Sequence, residues 1–164
     1  MNIKEILDNN IDYSGQKHSN KELVNGSFNE GYKGWIIPAP ETVKILSENG
    51  INFLRIQSGS VSGYIMQIIE GLEPNTKYKL TGKARVSTPQ YLEDYFPAIF
   101  GLQNDTFNHN TFVVDSTDFI TGSVTLSTDT EGYLRVFLAK TEMGIHTPPA
   151  EVTADFTGFI CEKA

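Results

Sequence analysis

One cysteine, one tryptophan and three histidines in 164 residues leave little room for several kinds of chemistry. A lone Cys161 can neither close a disulfide within the chain nor build a multi-cysteine zinc site, and it marks neither an oxidising nor a reducing compartment. Basic residues are also scarce: 13 Lys and Arg stand against 20 Asp and Glu, a formal charge of −7. That balance argues against a nucleic-acid binder, whose affinity rests on broad neutralisation of phosphates. Long apolar runs are missing, and stretches such as "GYIMQII" fall far short of a membrane span. The opening "MNIKEILDNNIDYSGQKHSN" has neither the basic region nor the apolar core of a signal peptide, so the chain reads as soluble, or as a soluble piece of something larger.

Catalytic signatures are missing as well. There is no Gly-x-Ser-x-Gly elbow, no His-Glu-x-x-His and no phosphate-cradling Gly-x-x-x-x-Gly-Lys. His18, His109 and His146 fall in a linker, a turn and a Pro-rich loop, none beside a nucleophile in sequence. Carboxylate pairs for glycoside hydrolysis converge only in space, and Glu93-Asp94 reads as an exposed loop tip. The expectation is a protein without catalytic activity.

What is present is a β pattern. Ile3, Ile6 and Leu7 recur at helical spacing and a polar stretch follows, which predicts a short helical tail and linker over residues 1–20. From residue 21 to 164 the chain reads as one domain of short runs rich in β-branched and aromatic residues, broken about every ten residues by Gly, Asn, Asp or Pro. The runs include "KELVN", "WIIP", "ETVKILS", "NFLRIQS", "GYIMQII", "FPAIFGL", "TFVVD", "FITGSVTLS", "YLRVFLAK" and "EVTADFTGFICE". In "KYKLTGKARV", Tyr78, Leu80, Gly82, Ala84 and Val86 alternate with Lys77, Lys79, Thr81, Lys83 and Arg85, so one face enters a core and the other meets water. Asn49-Gly50 predicts a tight hairpin. Pro74 presets a corner after Leu72, a candidate plug for one end of the core, and Tyr78 is placed to reach the turn backbone with its hydroxyl.

The segments "LVNGSFNEGYKGW" and "IMQIIEGLEPNTKYKLTGKARV", in that order and followed by the Asp-bearing "VTADFTGFI", resemble the jelly-roll carbohydrate-binding modules of the xylan- and glucan-binding group, a galactose-binding-like fold found attached to bacterial glycoside hydrolases. The resemblance spans residues 21 to 163. It implies an all-β, two-sheet antiparallel jelly-roll sandwich and a polysaccharide or oligosaccharide as partner. It also implies a structural calcium ion shared by the opening loop and the last strand, with Ser27, Asn29, Asn49 (or Gly50) and Asp155 as oxygen donors. The group usually carries a glutamate where this chain has Asn29, which weakens such a site unless Glu30 substitutes. The plainer reading is that Gly26, Gly31 and Gly34 only shape a turn, with Phe28 and Trp35 sealing the sandwich.

Alternation in "YLRVFLAK" places Tyr133, Arg135 and Phe137 opposite Leu134, Val136 and Leu138, an aromatic, cationic, aromatic ladder suited to sugar rings and their hydroxyls. Such residues also serve to cover strand edges or to meet another subunit. The resemblance would bring Lys83 and Arg85 into the same concave surface. Tyr91 and Tyr95 in "TPQYLEDYF" are further candidates, as are Gln103, Asn104, Asn108 and His109 in "QNDTFNHNTF". Two readings of function follow: a glycan-binding module that attaches a larger enzyme or particle to polysaccharide, or a protein-contact module of a phage tail or bacterial surface assembly. Both favour an extracellular or virion-associated place over a cytoplasmic one.

Overall fold

A computed structural model describes residues 19–57, 64–87, 97–140 and 153–164. The helical turn expected near the start lies outside these residues. Among them are nine strands: β1 Val43–Glu48, β2 Ile51–Ile56, β3 Tyr64–Ile69, β4 Lys77–Val86, β5 Ala98–Asn104, β6 His109–Val114, β7 Ile120–Ser127, β8 Leu134–Lys140 and β9 Ala154–Lys163. They form two antiparallel sheets, one in the order β1-β2-β9-β4-β7 and the other in the order β3-β8-β5-β6. The chain is a two-sheet β-sandwich.

The period-two pattern explains the layers. Along β4 every second side chain is buried, from Tyr78 through Leu80 and Ala84 to Val86. Leu54 and Ile56 of β2 and Ala154 and Phe156 of β9 meet them from the same sheet, and Ile65, Phe100, Leu102, Val136 and Leu138 meet them from the other. The Asn49-Gly50 hairpin forms as expected, both residues at positive φ (54° and 78°) between β1 and β2, which matches the twist of the flanking strands. The Tyr78 hydroxyl accepts a hydrogen bond from Glu73 N at 3.1 Å, and Leu72 packs half-buried against the core.

Two expected strands are absent. "KELVN" follows an isolated bridge from Asn20 to Ile69 and forms none itself, and "WIIP" contributes only the bridge from Ile36 to Met66, because the segment between them coils into a turn-rich loop. Asn20 also belongs to the sandwich rather than to a linker: its N–H bonds Ile68 O and its C=O accepts from Glu70 N. Gln67 fixes the start of the loop. Its fully buried amide accepts from Val24 N (2.8 Å) and Asn20 Nδ2 (2.9 Å) and donates to Val24 O (3.0 Å).

Asn25 organises the rest of the loop. Its Nδ2 donates to the carbonyls of Gly31 and Lys33, its Oδ1 accepts from Glu30 N, and its own carbonyl accepts from Trp35 Nε1 at 3.0 Å. Phe28 and Trp35 stack at 5.3 Å between ring centroids and are both buried. Gly26 O accepts from Phe159 N, tying the loop to β9. A Cβ at Gly26 would lie 2.0 Å from Phe159 O, so glycine is what permits that approach.

Gln67→Leu should leave both backbone groups of Val24 without partners in an apolar interior. The expected loss is about 2–4 kcal/mol, since each buried unpaired group costs roughly 1–3 kcal/mol, read as a lower urea midpoint with an unchanged slope.

A candidate ligand-binding face

The two sheets present different outer faces. On the five-stranded sheet, Arg55 and Arg85 flank Asp155, which register pairs with both. Arg55 reaches the two carboxylate oxygens through Nε (2.8 Å) and Nη2 (3.0 Å), and Arg85 adds Nε at 2.8 Å and reaches Glu48 at 3.1 Å. The Arg85 guanidinium also lies over Phe119 (4.3 Å) and Phe53 (5.1 Å). Hydrogen bonding to Asp155 holds the Arg55 guanidinium above its ordinary pKa. Every charge in this cluster is met by an opposite one, as in a built structural network.

Two expectations meet this geometry. Both Asp155 oxygens are held by guanidinium groups, whose charge opposes a cation beside them. Of the other three expected donors, Asn29 accepts through its side-chain oxygen from Asn52 Nδ2 (3.0 Å), while Ser27 and Asn49 offer only neutral oxygens. Glu30, the possible substitute, pairs with Lys33 at 3.6 Å on the surface. The four residues do not fit a hard divalent ion, which needs six to eight oxygens and carboxylate charge. Second, β4 and β8 lie in opposite sheets, so Lys83 and Arg85 share no surface with Tyr133, Arg135 and Phe137. Alternation assigns a face of a strand, not a sheet. Arg85 belongs to the Asp155 network, and Lys83 is exposed beside Gly158.

The four-stranded sheet places its outward residues in rows. Ile68, Arg135, Gln103 and His109 form one, Met66, Phe137, Gly101 and Thr111 the next, and Tyr64, Ala139, Ile99 and Val113 a third. None is Asp or Glu. Met66, Ile68 and Ile36 form a small buried cluster on this outer side, against which Tyr133 and Phe137 pack half-buried. Gly101 leaves room for the Phe137 ring, whose Cζ would lie 2.8 Å from a Cβ there. Arg135 sits amid these groups: its Cζ is 5.3 Å from the Phe137 centroid and 6.0 Å from that of Tyr64.

Arg135 differs from Arg55 and Arg85 in its partners. Nη1 donates to the neutral Gln103 Oε1 at 3.0 Å, Nε is buried without a partner, and no carboxylate among the described residues pairs with it. Burial pushes its pKa below the ordinary arginine value.

The expected ladder Tyr133, Arg135 and Phe137 is therefore brought together on one face. Sequence reading missed Tyr64, Met66 and Ile36 there; alternation within "GYIMQII" was the available signal, masked because both faces of β3 are apolar. Of the turn candidates, Gln103 and His109 join the face. Asn104 is buried and braces the turn, its Oδ1 accepting from Thr106 and Asn108 and its Nδ2 donating to Ser127 O. Asn108 donates to Thr106 Oγ1, and His109 contacts Phe107 O. Tyr91 and Tyr95 lie outside the described residues.

Asp155→Ala should cost about 2–3 kcal/mol, less than the loss of a fully buried pair because the arginine side chains stay partly in water. Unfolding midpoints of wild type should coincide in calcium and in chelator; a midpoint raised by calcium would restore the ion site.

Comparison with known proteins is consistent with this architecture. The family model described as "Carbohydrate binding domain" matches residues 20–143. No curated protein sequence matches significantly. Among solved structures, TmCBM61 in complex with beta-1,4-galactotriose superposes with a TM-score of 0.63 at 15% identity, covering 89% of this chain and 100% of that one. A family 16 carbohydrate binding module gives 0.60 at 16% identity, covering 86% and 99%. The CBM22-1 xylan-binding domain of Xyn10C from Paenibacillus barcinonensis gives 0.58 at 14%, covering 89% and 96%. At these identities the structural likeness establishes the fold.

Proposed function

The chain belongs to the carbohydrate binding domain family, and from that premise we propose that it is a non-catalytic module binding an oligosaccharide or polysaccharide on the outer face of the four-stranded sheet, so as to hold a larger enzyme or particle on glycan. The observation that carries the reading is the half-buried pair Tyr133 and Phe137 on either side of Arg135. Sugar rings offer C–H surfaces that pack on aromatic rings and hydroxyls that accept from guanidinium N–H groups, and this face provides both. Half-burial also matters, since rings already packed on Met66 and Ile68 lose little freedom when a ligand arrives.

Glycoside hydrolysis commonly needs two carboxyl groups about 5–10 Å apart across the bond; a module limited to binding needs none, and the outward rows of the described strands carry aromatic, amide and guanidinium groups instead. No helix of the described residues is long and apolar enough to cross a membrane.

Isothermal titration of the full chain with xylo-, gluco- and galacto-oligosaccharides, followed by product chromatography, should show binding without cleavage. Tyr133→Ala or Phe137→Ala should weaken it by roughly thirtyfold, the equivalent of about 2 kcal/mol, with the β-type circular dichroism retained. Unchanged affinity in a folded variant would move the site elsewhere, and failure to bind across a broad glycan array would favour the protein-contact reading.

A further inference from the structure

Resting on that reading, we propose that the glycan is acidic: a uronate whose carboxylate pairs with Arg135. Three observations converge on the charge of the ligand. A chain with 20 Asp and Glu against 13 Lys and Arg places no carboxylate at any outward position of the four strands. Among those outward positions stands a half-buried arginine whose one hydrogen bond among the described residues is made to a neutral amide. The other sheet shows how this fold treats an arginine needed only for structure: Arg55 and Arg85 both close on Asp155, and Arg85 on Glu48 as well.

A desolvated cation without a counter-charge is costly, and the cost is relieved when an anion arrives. The guanidinium offers five N–H donors and Gln103 takes one. Nη2 is neither among the buried unpaired atoms nor bonded to a described residue, so it is the edge left for a ligand. Planar carboxylates match a guanidinium edge in distance and direction. The rings of Phe137 and Tyr64 lie beside the guanidinium, apolar surface on which the pyranose that carries the carboxylate would pack.

The test is titration calorimetry of the full chain at pH 7 and low ionic strength, with oligosaccharides of galacturonate, mannuronate and glucuronate and the methyl ester of each. At least one uronate should bind about tenfold or more tightly than its own ester, with affinity that falls as salt is raised. Arg135→Gln should abolish the difference between acid and ester, and Arg135→Lys should restore part of it. Binding of neutral oligosaccharides or esters as tight as that of every uronate would overturn the acidic ligand and leave carbohydrate binding standing. Preference for a sulfated glycan over all uronates would also overturn it, and no binding to any sugar would remove the proposed function together with this inference.

Discussion

Gln67 is a polar side chain with no exposure to solvent, set in a strand whose neighbours are almost all apolar. Its amide meets a stretch of backbone that runs along the sandwich without a ladder of its own, and both of its polar atoms are bonded there. Much else depends on that contact. It holds Val24, and so the loop in which Asn25 gathers three backbone groups and the Trp35 indole around itself. The loop in turn delivers Phe28 and Trp35 into the core, and the residue after Trp35 lies along β3, where Ile36 completes the apolar cluster beneath Tyr133 and Phe137. A buried amide thus links the opening loop to the firmness of the outer face, since a polar network of this kind is rigid only when every member is bonded.

The two outer faces use one residue type in opposite ways. Around Asp155 two arginines and two acids exhaust one another's charge, and phenylalanine rings cover the result. Around Arg135 the rings are present, but no acid among the described residues pairs with it. Equal burial of apolar surface would stabilise both faces alike; only the second retains an unspent interaction. The difference separates a face that completes the fold from one that can still gain by meeting another molecule.

Much of the architecture was legible because strand patterning is local. The alternation of "KYKLTGKARV" gave the inward set of β4, Asn49-Gly50 gave the first hairpin, and "YLRVFLAK" gave the outward set of β8. What was not legible depends on distance along the chain. Nothing near Asp155 in sequence reveals that Arg55, one hundred residues earlier, is bonded to it. Lys83 and Arg135 read as neighbours until their strands fall into different sheets. Tyr64 stayed hidden because a strand apolar on both faces carries no period. "KELVN" has the composition of a strand, yet its backbone partners are a side-chain amide and a few isolated groups, a tertiary choice that propensity does not encode.

The last strand is not at an edge. β9 lies between β2 and β4, so during synthesis the first hairpin and the β4–β7 pair exist before the strand that joins them has been made. Until it arrives, β2 and β4 each present an open row of backbone donors and acceptors, the kind of surface on which chains associate with one another. Closing the sheet also brings together residues far apart in sequence, which slows the search for the native arrangement. Emergence of residues 154–163 from the ribosome is therefore the moment at which this sheet commits, and a nascent chain stalled before it would have two sticky edges and no means of covering them.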